Sequence, residues 1–281
     1  MNYDLFTFPK MPAQQPVCLL RPRRIEGLPS ELASKWAERF GVRAKPQDMG
    51  ARLIARDDQS SLEYFVATGS VRWSARPGQK AEAESQPRLP DEKEAIERAM
   101  AKLREFDMMH MSAAVHSVTD LEFCVRKAGK KDESAWPIAR QVNMRFKEAG
   151  LPFFGPGAKI QASVGDGGNV DELLRFWREV DVSGEATTLS PDHLMDILMR
   201  DESFAQLRAG EASVQFHDCQ IGFYALPPRE VQNICVPVFA VSGTVSTPAL
   251  PRYDFMRYVP AISMAAKSRA GMSALRSVAA F

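Results

Sequence analysis

His217-Asp218 is the pair in this chain whose residue types best suit proton transfer. A histidine titrates near neutral pH, so one placed in a cleft can act as a general base. Tyr224, seven residues further on, and Glu122 are the other candidate acid–base groups. His217 shares a strand face with Gln215 and Ser213, and an ordinary sheet histidine satisfies the same pattern. His110 and His116 stand six apart, not at the i, i+4 spacing of a helical metal pair, so no metal site is expected. Met109 and Met111, with Phe216 and Trp177, are candidate lining for an adaptable apolar pocket. Glu179 and Asp181 beside Arg175 and Arg178 read as a salt-bridge array before they read as a carboxylate pair. Tyr224, Gln232 and Asn233 flank Pro227-Pro228 and could bond a ligand at the mouth of a sheet, or simply satisfy a turn. Gly165-Asp166-Gly167-Gly168-Asn169 lacks the Lys-Ser/Thr of a phosphate loop and reads as a hairpin turn.

The elements that would position these groups follow a recurring signal. A helix start appears at Leu28-Pro29-Ser30, at Leu89-Pro90-Asp91 and at Leu189-Ser190-Pro191-Asp192, each followed by short strand-like runs. Ser30 is a candidate N-cap, Leu32, Trp36 and Phe40 share a face, and Gly41 suits the helix end. Residues 51–56, 62–67 and 71–75 read as three short strands. Asp91 opens a second helix with Ala95, Ile96, Ala99, Met100 and Leu103 inward. Residues 113–119, 121–127, 139–147 and 158–164 read as strands, and 150–157 as an apolar loop. Residues 170–180 fit a helix or a twisted strand; the Gly-rich turn before them favours the strand. A third helix is expected near 191–199, with Ser190 as cap, and strands near 214–224 and 231–241. Pro237 argues for an edge position in the last of these.

Four segments result: an extended arm at 1–27, a small helix-plus-meander module at 28–80, a larger module at 88–245, and a basic tail at 246–281. Residues 76–90 form the linker between modules. Arg21-Pro22-Arg23-Arg24 is a local basic cluster, and from Ala261 the tail suits a weak helix that frays or docks on a partner or an anionic membrane. The 281 residues carry 36 basic and 35 acidic side chains, so no global basic field favours nucleic acid. No apolar run approaches the length of a membrane span, and the first ten residues do not form a signal peptide, so a cytoplasmic location is expected, with an extracytoplasmic one as the alternative if the sequence begins after a cleaved signal. Cys18, Cys124, Cys219 and Cys235 are too dispersed for a metal knuckle, although Cys219 and Cys235 could meet across neighbouring strands. No cofactor is expected.

Three stretches carry a resemblance to a known family: SELASKWAERFGV (30–42), FFGPGAKIQASVGDGGNV (153–170) and VQNICVPVFAVSG (231–243). Helix, meander, Gly-Asp-Gly turn and closing hairpin in this order resemble PepSY-like modules and the tandem domains of YycH/YycI-type regulators. The resemblance implies an α+β fold with helices packed on curved antiparallel sheets, and a protein that binds and regulates a partner. The expected function is therefore non-catalytic: holding a protein partner or a small apolar molecule in a sheet–helix cleft. The alternative is a cofactor-independent cyclase, isomerase or lyase using His217, Tyr224 or Glu122 beside an apolar pocket. A closed apolar cavity with convergent polar groups separates the second from the first.

Overall fold

The computed structural model describes residues 6–75, 87–126, 133–201, 204, 213–247 and 252–263. Its class is α+β, with three helices and antiparallel sheets among the described residues. Helix α1 (Pro29–Arg39) begins two residues earlier than the serine signal suggests: Leu28 is the N-cap and Pro29 occupies the first turn, so Ser30 lies inside the helix and its carbonyl accepts from Ser34. Proline fixes φ at a helical value and needs no donor there, which explains the shift. α1 buries Ala33 and Ala37, with Phe40 just past its end. Small residues on that face let the helix sit close to the sheet. Helix α2 (Glu92–Glu105) starts as expected, with the Asp91 carboxylate accepting from Glu94 N at 2.8 Å. It buries Ala95, Ala99 and Leu103 completely.

Both helices lie on one eight-stranded antiparallel sheet. Its strands are β3 (Gln47–Asp48), β4 (Arg52–Arg56), β5 (Ser60–Phe65), β6 (Ser70–Ala75), β7 (Ala114–Arg126), β8 (Glu133–Arg145), β11 (Lys159–Val164) and β12 (Val170–Phe176). The order is β3-β4-β5-β6-β12-β11-β8-β7. The first helix-and-meander unit supplies one half and the second unit the other. They join where β6 pairs with β12, Trp73 opposite Leu173. The sheet therefore runs across the linker instead of stopping at it. Of that linker, residues 76–86 lie outside the described residues. Residues 170–176 are strand, and the two runs expected at 113–119 and 121–127 join as one strand, Ala114–Arg126, with two register shifts. The core beneath the helices is continuous, with Phe40 4.4 Å from Phe106 and 5.4 Å from Trp73 between ring centroids.

A second sheet holds β16 (Tyr253–Pro260), β15 (Val236–Ser246), β14 (Ser213–Tyr224), β10 (Leu151–Phe154) and β9 (Lys147–Glu148), in that order, with β1 (Phe6–Thr7) also pairing β14. Helix α3 (Pro191–Met199), capped by Ser190 as expected, packs Leu194 and Leu198 on it. The expected loop at 150–157 thus contains a strand, and the expected tail contributes β16. The remainder of the tail, residues 248–251 and 264–281, lies outside the described residues. β15 is interior, not an edge. Pro237 is tolerated because it is the second residue of the strand, and its carbonyl accepts from Ala261 N at 2.8 Å. β2 (Pro16–Pro22), from the N-terminal arm, pairs with β13 (Val180–Thr187). Among the described residues, no helix is long and apolar enough to cross a membrane.

The turn between β4 and β5 shows how a carboxylate fixes a connection. Asp57 accepts from the backbone N–H groups of Arg43 at 2.7 Å and of Gln59 and Ser60 at 2.9 Å. These bonds, the Arg43 one foremost, lower its pKa. The folded value lies below the unfolded one. The stability Asp57 contributes is thus present above its unfolded pKa and is lost as pH falls through the folded value. Asp57→Asn should lower the melting temperature at neutral pH and so flatten the acid limb of a plot of melting temperature against pH, the variant and the wild type converging at low pH.

Candidate functional site

Strand alternation gives the large sheet two unlike faces. On β5, Leu62 and Tyr64 point into the helix-covered core, while Ser61 and Glu63 point away. On β12, Leu173 is in the core and Glu172, Leu174 and Phe176 lie on the other face. Among the described residues, no helix packs on that second face. A concavity of about 540 Å³ opens on it, within the size range of ligand sites.

Its floor is a cross-strand polar ladder. Arg52 bonds Glu63 at 2.5 Å, and Arg72 bonds Glu172 at 2.5 Å and reaches Glu63 at 3.9 Å. These residues come from β4, β5, β6 and β12, so the ladder crosses the junction of the two units. The Glu172 side chain is only 12% exposed, while Arg72 reaches it from the solvent side at 45% exposure. Beyond it, the Gln161 side-chain amide donates to Asn143 Oδ1 at 2.8 Å and Gln141 Oε1 at 3.2 Å. Asn143 passes the chain on to Thr119 at 3.2 Å. Between ladder and amides lies an apolar strip: Leu174, with Phe65 and Phe176 edge to face at 5.3 Å. Lys159 sits 5.9 Å from the centre of the Phe176 ring.

The wall of the concavity is the loop carrying Pro227, Pro228 and Arg229. Three side chains fasten it. Arg178, almost fully buried, donates through Nη1 to Leu226 O at 2.9 Å, and through Nη2 to Pro227 O at 3.1 Å and Glu230 O at 2.9 Å. Thr68 donates to Pro228 O at 3.1 Å. Gln232 accepts from Leu226 N and donates to Tyr224 O and Ile234 O, closing the loop on itself. Burial lowers the Arg178 pKa, yet an arginine starts so high that it stays charged at neutral pH. A guanidinium suits this task because its planar fork serves three carbonyls at once.

The sequence candidates are scattered by this fold. His217 sits on β14 of the second sheet, exposed, at a bulge, with Nε2 2.5 Å from Thr244 Oγ1. Thr244 in turn donates to Asp254 at 3.0 Å, so the imidazole serves a buried hydroxyl instead of an open cleft. Tyr224 lies seven residues along the same strand, about 20 Å away at strand rise. It is fully buried, and burial raises its pKa to about 12. Glu122 is exposed on the other sheet, on β7. These three groups cannot share a substrate. The proposed apolar lining is equally dispersed. Trp177 and Met109 belong to the first core, Phe216 to the second, and Met111 is 98% exposed. Met108, just past the end of α2, is fully buried, and Met111 falls on the turn after it.

Other readings resolve in the same way. His110 is held structurally, with Nε2 2.8 Å from Glu148 and Nδ1 facing the Ser112 backbone N–H. Glu179 takes Trp177 Nε1 and Arg175, while Asp181 pairs with Arg23, so the two carboxylates do not converge. Arg175 lies 3.6 Å from the Trp177 ring centre, and its pKa is pushed down to about 10 by burial, which still leaves it charged. Cys219 and Cys235 occupy different cores and do not meet; all four cysteines are free thiols. Gln232 satisfies its own turn. The Gly165–Asn169 turn joins β11 to β12, and Asp166 and Gly167 bind the backbone of Arg88. Among the described residues, no cluster of three metal-ligating side chains occurs.

The floor residues were missed as a set. Their signal was the polar half of each strand's alternation, as at Gln141, Asn143 and Gln161, but nothing local in sequence says that β6 lies beside β12.

No protein-family model matches this sequence, and no curated protein matches it. Among solved structures the chain is similar to an uncharacterized protein from Eubacterium rectale ATCC 33656. The identity is 10%, over 89% of this chain and 84% of that one, with a TM-score of 0.44. A likeness at that level bears on neither family nor function.

Proposed function

We propose that this is a non-catalytic binding or regulatory protein that holds a segment of a protein partner on the open face of its eight-stranded sheet. One observation carries the reading: the concavity on that face has a floor and a wall that are both preorganised, the wall by Arg178, Thr68 and Gln232. Fixing a surface before binding removes ordering costs from association. The expected sheet–helix cleft is filled by Ala33, Ala37, Ala95, Ala99 and Leu103, which supports the opposite face as the binding surface. A small apolar molecule fits poorly there, because charged and amide groups line most of the floor. The dispersal of His217, Tyr224 and Glu122 weighs against the enzyme alternative. The PepSY-like reading is supported by two helix–meander units side by side, and a reducing, cytoplasmic setting by four free thiols.

Native mass spectrometry of the protein taken from its own cells tests this reading. The expected result is a bound chain, released on denaturation and missing from Gln161→Trp, whose indole would stand in the groove. An occupant retained by Gln161→Trp would overturn the placement.

A further inference from the structure

The charges of the groove do not balance, and the imbalance is local. Both carboxylates of the floor, Glu63 and Glu172, are taken up by Arg52 and Arg72. Lys159 and Arg229 remain, one from the floor and one from the wall. Among the described residues neither has a carboxylate partner. Both are exposed, so their heads can move to meet an anion. Between them and the paired arginines lie Phe176, Phe65 and Leu174, and beside those the amide of Gln161. The Gln161 Nε2 already donates to Asn143 and Gln141, which leaves its oxygen to accept.

Resting on the binding reading above, we infer that the groove takes an acidic segment of a partner protein in which a carboxylate side chain is followed closely by an apolar or aromatic one. The carboxylate lies between Lys159 and Arg229. The apolar side chain lies on the Phe65–Phe176–Leu174 strip, and a backbone N–H of the segment donates to Gln161. A basic segment would meet two unneutralised cations. A wholly apolar one would strip water from the Arg72–Glu172 pair without replacing its hydrogen bonds. An isolated small anion would gain the two cations but leave the aromatic strip exposed.

The test is a titration of the uniformly 15N-labelled full chain with three probes, followed by amide chemical shifts. The probes are the blocked peptide acetyl-Glu-Leu-Glu-Phe-Glu-amide, its analogue with Lys for Glu, and benzoate. The expected result is saturable shifts on β11, β12 and the Pro227–Arg229 loop with the acidic peptide, weakened by added salt. The double variant Lys159→Glu, Arg229→Glu should weaken that binding at least about fivefold, and the milder Lys159→Gln, Arg229→Gln pair should weaken it less. Groove shifts with the basic peptide as strong as with the acidic one would overturn the acidic assignment while leaving the groove as the binding surface. Benzoate binding as tightly as the acidic peptide would replace the peptide with a small anion. Groove shifts that appear with protein concentration alone would make the occupant a second copy. Shifts confined to other surfaces, or none with any probe, would overturn the groove itself along with its occupant.

Discussion

Replacing Arg178 with methionine should unfasten the loop that walls the groove and lower the stability of the protein by about 2–4 kcal/mol. The figure follows from what the guanidinium does. It donates to three backbone carbonyls, of Leu226, Pro227 and Glu230, in a nearly solvent-free position. Methionine keeps much of the buried stem but offers no donor, so carbonyls facing inward lose their partners. Each orphaned buried acceptor costs about 1–3 kcal/mol. Two effects hold the total below the sum: the loop can shift to let water reach the outer carbonyls, and a buried cation no longer has to be desolvated. Arg178→Lys should fall between, since one ammonium cannot span three acceptors set for a fork. Urea unfolding gives the magnitude, and amide hydrogen exchange locates it. Residues 225–235 should exchange faster, while α1 and α2 keep their protection relative to the new global stability. Unchanged exchange in the loop would show that Thr68 and Gln232 hold it without the arginine.

Gly157→Ala should be as damaging, about 3 kcal/mol or more, for a steric reason. A β-carbon built on Gly157 would overlap the Leu226 carbonyl oxygen and stand 2.9 Å from Arg178 Nη1. The clash is with backbone, not with a side chain that could rotate, and that backbone is held by the arginine. Gly184→Ala is the control. There the added carbon meets only Leu19 Cδ1 at an ordinary 3.8 Å, and the change should stay within about 0.5 kcal/mol. Because Gly157 and Arg178 both act through Leu226, their effects should not add. Once the alanine has displaced the loop, Arg178→Met has less left to lose. Full additivity in the double variant would mean that the two contacts hold separate features.

The helices were legible in sequence because their signals are local. Asp91 and Ser190 cap where their chemistry says they should, and Pro29 displaces Ser30 from that role by one known rule. The β11–β12 hairpin was legible too, since the Gly-rich turn leaves the chain little choice. What was not legible depends on pairings between distant segments. β13 is half polar and exposed, and only its pairing with β2 makes it a strand. β16 hid in a segment whose charge suggested a tail. The site shows the same division. Gln141 and Asn143 had the right alternation, but their place in a groove follows from β11 and β12 arriving beside them. Arg178 looked like one of a surface salt-bridge array, and its role appears only when a loop about fifty residues later folds over it.

On the proposed reading the molecule binds through the face of the large sheet opposite α1 and α2. A photo-reactive benzoylphenylalanine placed at Gln161, on the groove floor, and separately at Lys35, on the solvent side of α1, puts that to a direct comparison. Irradiated in cells that make the protein, the Gln161 position should give a discrete higher-mass adduct. That adduct should disappear when Lys159 and Arg229 are both changed to Glu, and the Lys35 position should give none. A discrete adduct at Lys35 with none at Gln161 would contradict the account and move the binding surface to the helices.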